Sequence, residues 1–274
     1  MSGLKRGSVA VVGAAESDLG QVAPNTSPVD LMAQGTMRAL EDAGLKLSDV
    51  DGVFSAASQT RMAPMALSEY LGIKPRYFDG TIIGGSSFMT HVAHAQAAIE
   101  HGLCEVALIA YGSTQRTVSR AAASPREYNY YESPYRPILP ISAYAMAAAR
   151  HMHQFGTTRE QLAEVAVAAR QWALKNPKAW EKEPLTIEQV LNARMVSHPF
   201  TVRDCCLVVD GGGAIVLTSA ARAKPLKQKP AYVLGVGDAL SHATISNMPD
   251  LTVTAAVESG TKAYAMAGLK PSDM

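Results

Sequence analysis

Residues 81–112 read TIIGGSSFMTHVAHAQAAIEHGLCEVALIAYG, three pieces joined without a gap. Gly84-Gly85-Ser86-Ser87 is a tight turn of small residues. Phe88, Val92, Ala95, Ile99 and Leu103 then recur at helical spacing, with Gly102 as the stop. Val106 to Ala110 is an unbroken apolar run, the pattern of a parallel strand covered on both faces. Turn, helix and strand in this order predict an α/β fold. A turn without Cβ atoms lets another group approach the backbone closely. Its N–H groups also open a helix N-terminus, where developing negative charge is stabilised. In many α/β enzymes such a turn carries a nucleophile; here it holds only glycines and serines. The same four residues also suit a plain N-cap before a core helix.

The pattern continues on both sides. Val9 to Val12, ending at Gly13, predicts a first strand, and Asn25-Thr26-Ser27-Pro28 supplies helix-start chemistry. Leu31, Met32, Met37, Leu40 and Ala43 make a helical stripe stopped by Gly44. A strand is expected at Val50–Ala56 and a short helix at Pro64–Leu71. Ser113 to Phe200 changes character, with Tyr128, Tyr130, Tyr131 and Tyr135 clustered and helices expected near Ser142–Phe155 and Arg159–Asn176. Such a stretch is an inserted subdomain rather than a structureless loop. Gly211 to Thr218 predicts the returning strand. Ala221–Pro230 predicts a basic linker, Tyr232–Gly237 a further strand, and Thr252–Ala267 a helix.

An internal repeat joins the two ends. Ala43-Gly44-Leu45-Lys46-Leu47-Ser48-Asp49 recurs as Ala267-Gly268-Leu269-Lys270-Pro271-Ser272-Asp273. The same offset places Val9 on Val233, Gly13 on Gly237, Arg38 on Lys262 and Ala39 on Ala263. The first copy continues into a strand, whereas the second reaches Met274 where that strand would begin, so a C-terminally truncated chain is expected.

Composition narrows the class. The 274 residues are 47% hydrophobic and 18% charged with net charge +1, as in a folded domain or two. That balance gives no electrostatic footprint for nucleic acid or a membrane surface. Cys104, Cys205 and Cys206 show neither metal spacing nor a disulfide framework, which fits a cytoplasmic protein.

The duplicated unit, the long insertion and the small-residue turn together resemble the thiolase superfamily. The likeness is to the sterol-carrier-protein-type thiolases and thiolase-like acetyl-CoA acetyltransferases of bacterial acyl-CoA and steroid breakdown. Its most specific pieces are residues 204–214, DCCLVVDGGGA, 248–254, MPDLTVT, and 267–273, AGLKPSD. The resemblance implies a thiolase-like layered fold. Residues 1–220 would form the N-terminal half, with an inserted subdomain at about 113–205, and residues 221–274 the first strand and helix of the C-terminal half. It implies coenzyme A as co-substrate, no permanently bound cofactor or metal, and an acyl-CoA ligand. The implied assembly is a homodimer, or a hetero-oligomer with an OB-fold, zinc-ribbon protein. In the family the turn before the central helix carries a cysteine nucleophile, and the likeness places Gly85 there. The reaction implied is cleavage of a carbon–carbon bond next to a thioester without an acyl-cysteine. The alternative is a non-catalytic subunit that binds acyl-CoA or stabilises a partner. The family's later catalytic pieces match nothing here, so this chain alone is expected to be inactive or nearly so.

Other residues stay in play. Ser86 adjoins the nucleophile position, but a serine needs a base. Cys206 aligns where the family often has a serine near the coenzyme, although a cysteine before a strand also reads as core. His242 follows a strand end, where α/β sites often lie. His91 and His94 are three apart and able to face one way. His151 and His153 fall on different helix faces. Asp204 and Asp210 suit backbone capping. Arg116, Arg120 and Arg126 suit either a coenzyme phosphate or solvent.

Overall fold

Alternate residues of the predicted central strand go to opposite sides of a sheet. In the computed structural model, which describes residues 3–118 and 128–274, this strand is β4, Val106–Ser113. Val106, Leu108 and Ala110 join one buried cluster, and Ala107 and Ile109 join another. Its run Val106–Ala110 is apolar because both faces are covered.

The first cluster lies under α1, Pro28–Ala43, through Met32, Ala39, Leu40 and Ala43. Ser27 begins this helix with a reciprocal cap: its hydroxyl accepts from the Asp30 N–H and the Asp30 carboxylate accepts from the Ser27 N–H. Gly44, at φ 72°, ends it in the left-handed conformation. The second cluster lies under α3, Ser87–Glu100, through Ala95 and Ala98. Between these layers the strand order is β3-β2-β4-β7-β1-β8. The ranges are β1 Val9–Glu16, β2 Gly52–Ser55, β3 Tyr77–Asp79, β7 Gly211–Ser219 and β8 Ala231–Tyr232. β2 runs parallel to β3 and β4. β7 runs antiparallel to both β4 and β1. Helix α2 spans Ala63–Leu71, and α4 spans Gln115–Val118.

Two units are distinguished. The first comprises 1–125, 209–239 and 258–274; the second comprises 126–208 and 240–257. The second holds helices α5, Ile141–Phe155, α6, Arg159–Lys175, and α7, Ile187–Leu191, with a small hairpin of β5, Met195–Ser197, and β6, Phe200–Thr201. Ala163, Val167 and Val190 form its buried centre. Glu132 is buried there and accepts from both the N–H and the hydroxyl of Ser246, at 3.0 and 2.9 Å. The short helix α8, Ala220–Ala223, is capped by Ser219 and occupies the start of the expected linker. Helix α9, Ala256–Ala267, belongs to the second copy of the repeat.

The repeat is real in three dimensions, with one correction. Gly44 and Gly268 both have positive φ, at 72° and 64°. Lys46 and Lys270 each donate a backbone N–H to the aspartate three residues on, at 2.8 and 2.7 Å. On the strand, however, the counterpart of Gly13 is Gly235 and not Gly237. A Cβ on Gly13 would lie 2.2 Å from the Ala39 carbonyl oxygen and 3.0 Å from the Ala43 nitrogen. A Cβ on Gly235 would lie 2.2 Å from the Ala263 oxygen and 3.0 Å from the Ala267 nitrogen. Side chains agree. Arg38 donates to the Glu16 carbonyl and Lys262 to the Asp238 carbonyl, each at 3.0 Å. Helix and strand therefore repeat at offsets of 224 and 222 residues, because the second copy's strand–helix connection is two residues longer. In both copies helix and strand approach so closely that only glycine fits.

Three other boundaries differ from expectation. β8 ends at Tyr232, with Val233 still bonded to Val9 and Gly7. Leu234–Gly237 does not form the expected strand, since it makes no ladder among the described residues. The second strand is shorter than Val50–Ala56. The last helix starts at Ala256 rather than Thr252, because Asp250 closes a turn by accepting from the Thr252 N–H and hydroxyl. No helix among the described residues is long and apolar enough to cross a membrane.

Candidate functional site

The C-terminal ends of parallel strands are where α/β folds gather ligands. β3 ends at Asp79, and the chain then passes through Thr81 and the small-residue turn into α3. Gly84 has φ 84°, and Gly84, Gly85 and Ser86 are exposed. A Cβ built on Gly85 would have no atom within 4 Å, so open space lies beside the backbone there.

The turn is held from below. Ser87 is buried; its hydroxyl accepts from the Ile83 N–H at 2.9 Å and donates to the Gly84 carbonyl at 2.7 Å. His91 is buried, and its Nε2 meets the Thr81 carbonyl at 3.0 Å. A carbonyl only accepts, so Nε2 carries the proton and Nδ1 is bare. Nδ1 is buried with no partner. Burial holds His91 below the usual histidine range, against the opposing influence of Asp79. Asp79 Oδ1 accepts from the Thr81 N–H and hydroxyl, both at 2.8 Å, while its Oδ2 pairs with His94 Nδ1. Burial pushes the Asp79 carboxyl up, but the bonds from His94 and Thr81 outweigh it and keep the group below the ordinary aspartate value. Thr90, also on α3, donates to Asp238 at 3.2 Å.

Gly85 and Ser86 lie in the first unit, whereas Cys206 and His242 lie in the second. Ser86 has no side-chain bond to the helix it precedes. His242 is half-exposed, and its Nδ1 meets the Ser241 hydroxyl at 2.8 Å. Cys206 is exposed, so the core reading of that cysteine is corrected. Cys205 is half-buried, with its thiol toward the Thr201 carbonyl. Asp204 accepts both arms of the Arg159 guanidinium, at 3.1 and 2.8 Å, together with the Thr201 N–H at 2.6 Å. Asp210 is buried and accepts from the N–H groups of Val22, Arg116 and Thr117 and from the Thr117 hydroxyl. Both aspartates are therefore clamps. Tyr128, Tyr130, Tyr131 and Tyr135 are exposed, and Tyr128 and Tyr130 meet edge-on at 5.2 Å. Arg116 donates through Nε to Gln21, whereas Arg120 and Arg126 lie outside the described residues. His151 Nδ1 meets the Thr157 hydroxyl, and His153 is exposed. No cluster of three or more metal-ligating side chains is present among the described residues.

Asp79, Thr81 and Asp238 do not stand out in the sequence. Asp-Gly-Thr directly after a strand was the available signal, since an aspartate there closes a turn onto its own backbone.

Cys104 offers no alternative nucleophile. It is buried, and burial chiefly, with Asp51 adding and Arg76 opposing, pushes its thiol up to about 12. At pH 8 iodoacetamide is expected to label Cys206 and to leave Cys104 untouched until the chain is unfolded. Mass spectrometry of the peptides checks this, and native labelling of Cys104 would contradict its burial.

A family model described as thiolase C-terminal domain-like matches residues 237–274. The chain is 30% identical to the 17-hydroxy-3-oxo-4-pregnene-20-carboxyl-CoA lyase of Mycobacterium tuberculosis, over 98% of its own length and 73% of the relative's. It belongs to the thiolase superfamily, in the sterol-carrier-protein-type group. This thiolase-type chain is also 30% identical to an acetyl-CoA acetyltransferase of Methanothermobacter thermautotrophicus, over 97% of its length and 71% of the relative's. Among solved structures, the aldolase described as Ltp2-ChsH2(DUF35) matches with a TM-score of 0.84 at 28% identity, covering 99% of this chain and 72% of that one.

Proposed function

We propose that this thiolase-type chain acts on acyl-CoA thioesters and cleaves the carbon–carbon bond next to the thioester in a retro-aldol sense, without an acyl-cysteine. The observation that carries this is Gly85: an exposed, side-chain-free position with open space at the N-terminus of the 14-residue helix α3. Such a turn binds and stabilises but supplies no covalent nucleophile. In the reaction, a base takes the proton of a 3-hydroxyl group. The C–O bond becomes a carbonyl as the C2–C3 pair moves to C2, giving a thioester enolate. Protonation at C2 then releases a shorter acyl-CoA. Backbone N–H groups at the helix start stabilise the enolate oxygen. The lyase and aldolase relatives support this direction of chemistry over acetyl transfer.

In this reading residues 1–220 are the N-terminal thiolase half, with the insertion at about 113–205, and residues 221–274 begin the second half. Coenzyme A enters as the thiol part of the substrate; Ser86 in the first unit, and Cys206 and His242 in the second, are separate candidate groups. A hetero-oligomer with an OB-fold, zinc-ribbon protein is the favoured assembly, supported by the aldolase neighbour, in which Ltp2 is paired with ChsH2(DUF35). A homodimer through the free edge of β3 is supported by exposed Phe78, Ile82 and Met89 nearby.

The test is to coexpress the chain with such a partner and assay a 3-hydroxyacyl-CoA against a 3-ketoacyl-CoA plus free coenzyme A. A ketone or aldehyde and a shortened acyl-CoA are expected from the first, and nothing from the second. Coenzyme-dependent thiolysis of the ketoacyl substrate would overturn the proposal. Tight acyl-CoA binding without turnover would instead support a binding subunit.

A further inference from the structure

Ser87, His91 and His94 stand at i, i+4 and i+7 on α3 and therefore share one stripe of that helix. All three bond to the segment that leads from β3 into the turn. Ser87 holds Ile83 and Gly84, His91 holds the Thr81 carbonyl, and His94 holds Asp79. Asp79 in turn holds Thr81 by two bonds. His94, Asp79, Thr81 and His91 thus close a ring that begins and ends on the same helix. Gly84 and Gly85 have no side chains of their own to fix this part of the turn, and glycine is the residue with most freedom to lose. The ring supplies that missing constraint from outside the turn.

We infer that His94 and Asp79 are positioning residues that fix the backbone of the 82–86 turn by way of Thr81; this rests on the proposed use of that turn. His91 is the inner member of the ring, neutral and enclosed by Phe54 and Phe88 at ring distances of 6.0 Å. His94 is the outer member and partly reaches solvent. Asparagine at position 94 keeps a nitrogen donor close to where histidine Nδ1 sits, whereas alanine keeps none.

The test is amide hydrogen exchange on the whole chain carrying His94→Ala, His94→Asn or Asp79→Asn. His94→Ala is expected to speed exchange at Thr81 and Ile83 about tenfold, with the amides of β4 and β7 unchanged. His94→Asn is expected to restore protection to within about twofold. In the coexpressed complex, His94→Ala is expected to lower kcat about tenfold with KM unchanged within twofold, a split that a general loss of packing does not give. Unchanged exchange at Thr81 and Ile83 in His94→Ala, or an asparagine variant no better than alanine, overturns the inference. If His94→Ala loses protection across the sheet, Asp79→Asn decides, because it keeps the side-chain volume and leaves Oδ1 available to Thr81. Local loosening at Thr81 in that variant supports the ring, and none refutes it. A wild-type complex that cleaves no hydroxyacyl thioester defeats the proposed reaction and leaves the exchange result standing.

Discussion

Gly13→Ala is expected to lose at least about 3 kcal/mol of stability, the upper range for forcing extra volume into a packed interior. A methyl group there would sit 2.2 Å from the Ala39 carbonyl oxygen and 2.8 Å from the Ala43 Cβ. Neither neighbour can swing away, since one is helix backbone and the other a buried side chain with no torsion to turn. Helix α1 must therefore lift off β1, and it also covers β4 and β7. An apparent Tm lower by roughly 6–12 °C follows from about 2–4 °C per kcal/mol in a protein of this size. Gly235→Ala makes the same collision in the second copy, yet a smaller loss is expected. Helix α9 buries only Ala267 and can move away without opening the sheet. Gly85→Ala is the control, with nothing within 4 Å and an expected change within about 0.5 kcal/mol. Thermal melts of the three variants decide the matter: equal losses at 13 and 85 would refute the close approach.

Asp210→Ala is expected to cost at least about 3 kcal/mol, because four donors lose a buried acceptor and each orphaned group costs about 1–3 kcal/mol. The same carboxylate joins three stretches of chain: the loop after β1, the start of α4 and the start of β7. Burial pushes this carboxyl up, but the Thr117 hydroxyl and the backbone N–H groups of Val22, Thr117 and Arg116 prevail, and its folded value lies below the ordinary one. The unfolded chain then binds the proton more readily. The stabilisation is accordingly complete above the ordinary aspartate value of about 4 and fades as pH falls through the lower folded value. Urea midpoints of wild type and Asp210→Asn should differ most near neutral pH and converge on acidification. A gap that widens toward acid pH would contradict the clamp.

Much of the fold was legible because it is written in local patterns. The unbroken apolar run of β4, the Ser27 cap and the Gly44 stop are each set by a few neighbouring residues, and each appears where the pattern put it. The repeat was legible in its helix and its Lys-to-Asp cap for the same reason. Its strand register was not. Gly13 and Gly237 share an offset in sequence, but contact with the helix selects Gly235, and only packed backbones express that preference. Leu234–Gly237 reads as a strand from its residues, yet a strand also needs a neighbour to bond, which one segment cannot supply by itself.

The candidate site divides in the same way. Sequence alone determined that the turn at 84–87 carries glycine and serine and no cysteine, and that a helix follows it, because these are matters of residue identity and period. The tertiary structure decided that the space beside Gly85 is open, that Cys104 is sealed in the core, and that His91 and His94 bond to Thr81 and Asp79. Those are distances between residues that lie far apart in the chain or on separate elements. Hydrogen bonds and burial follow where folding brings such residues, and no spacing along the chain encodes that directly.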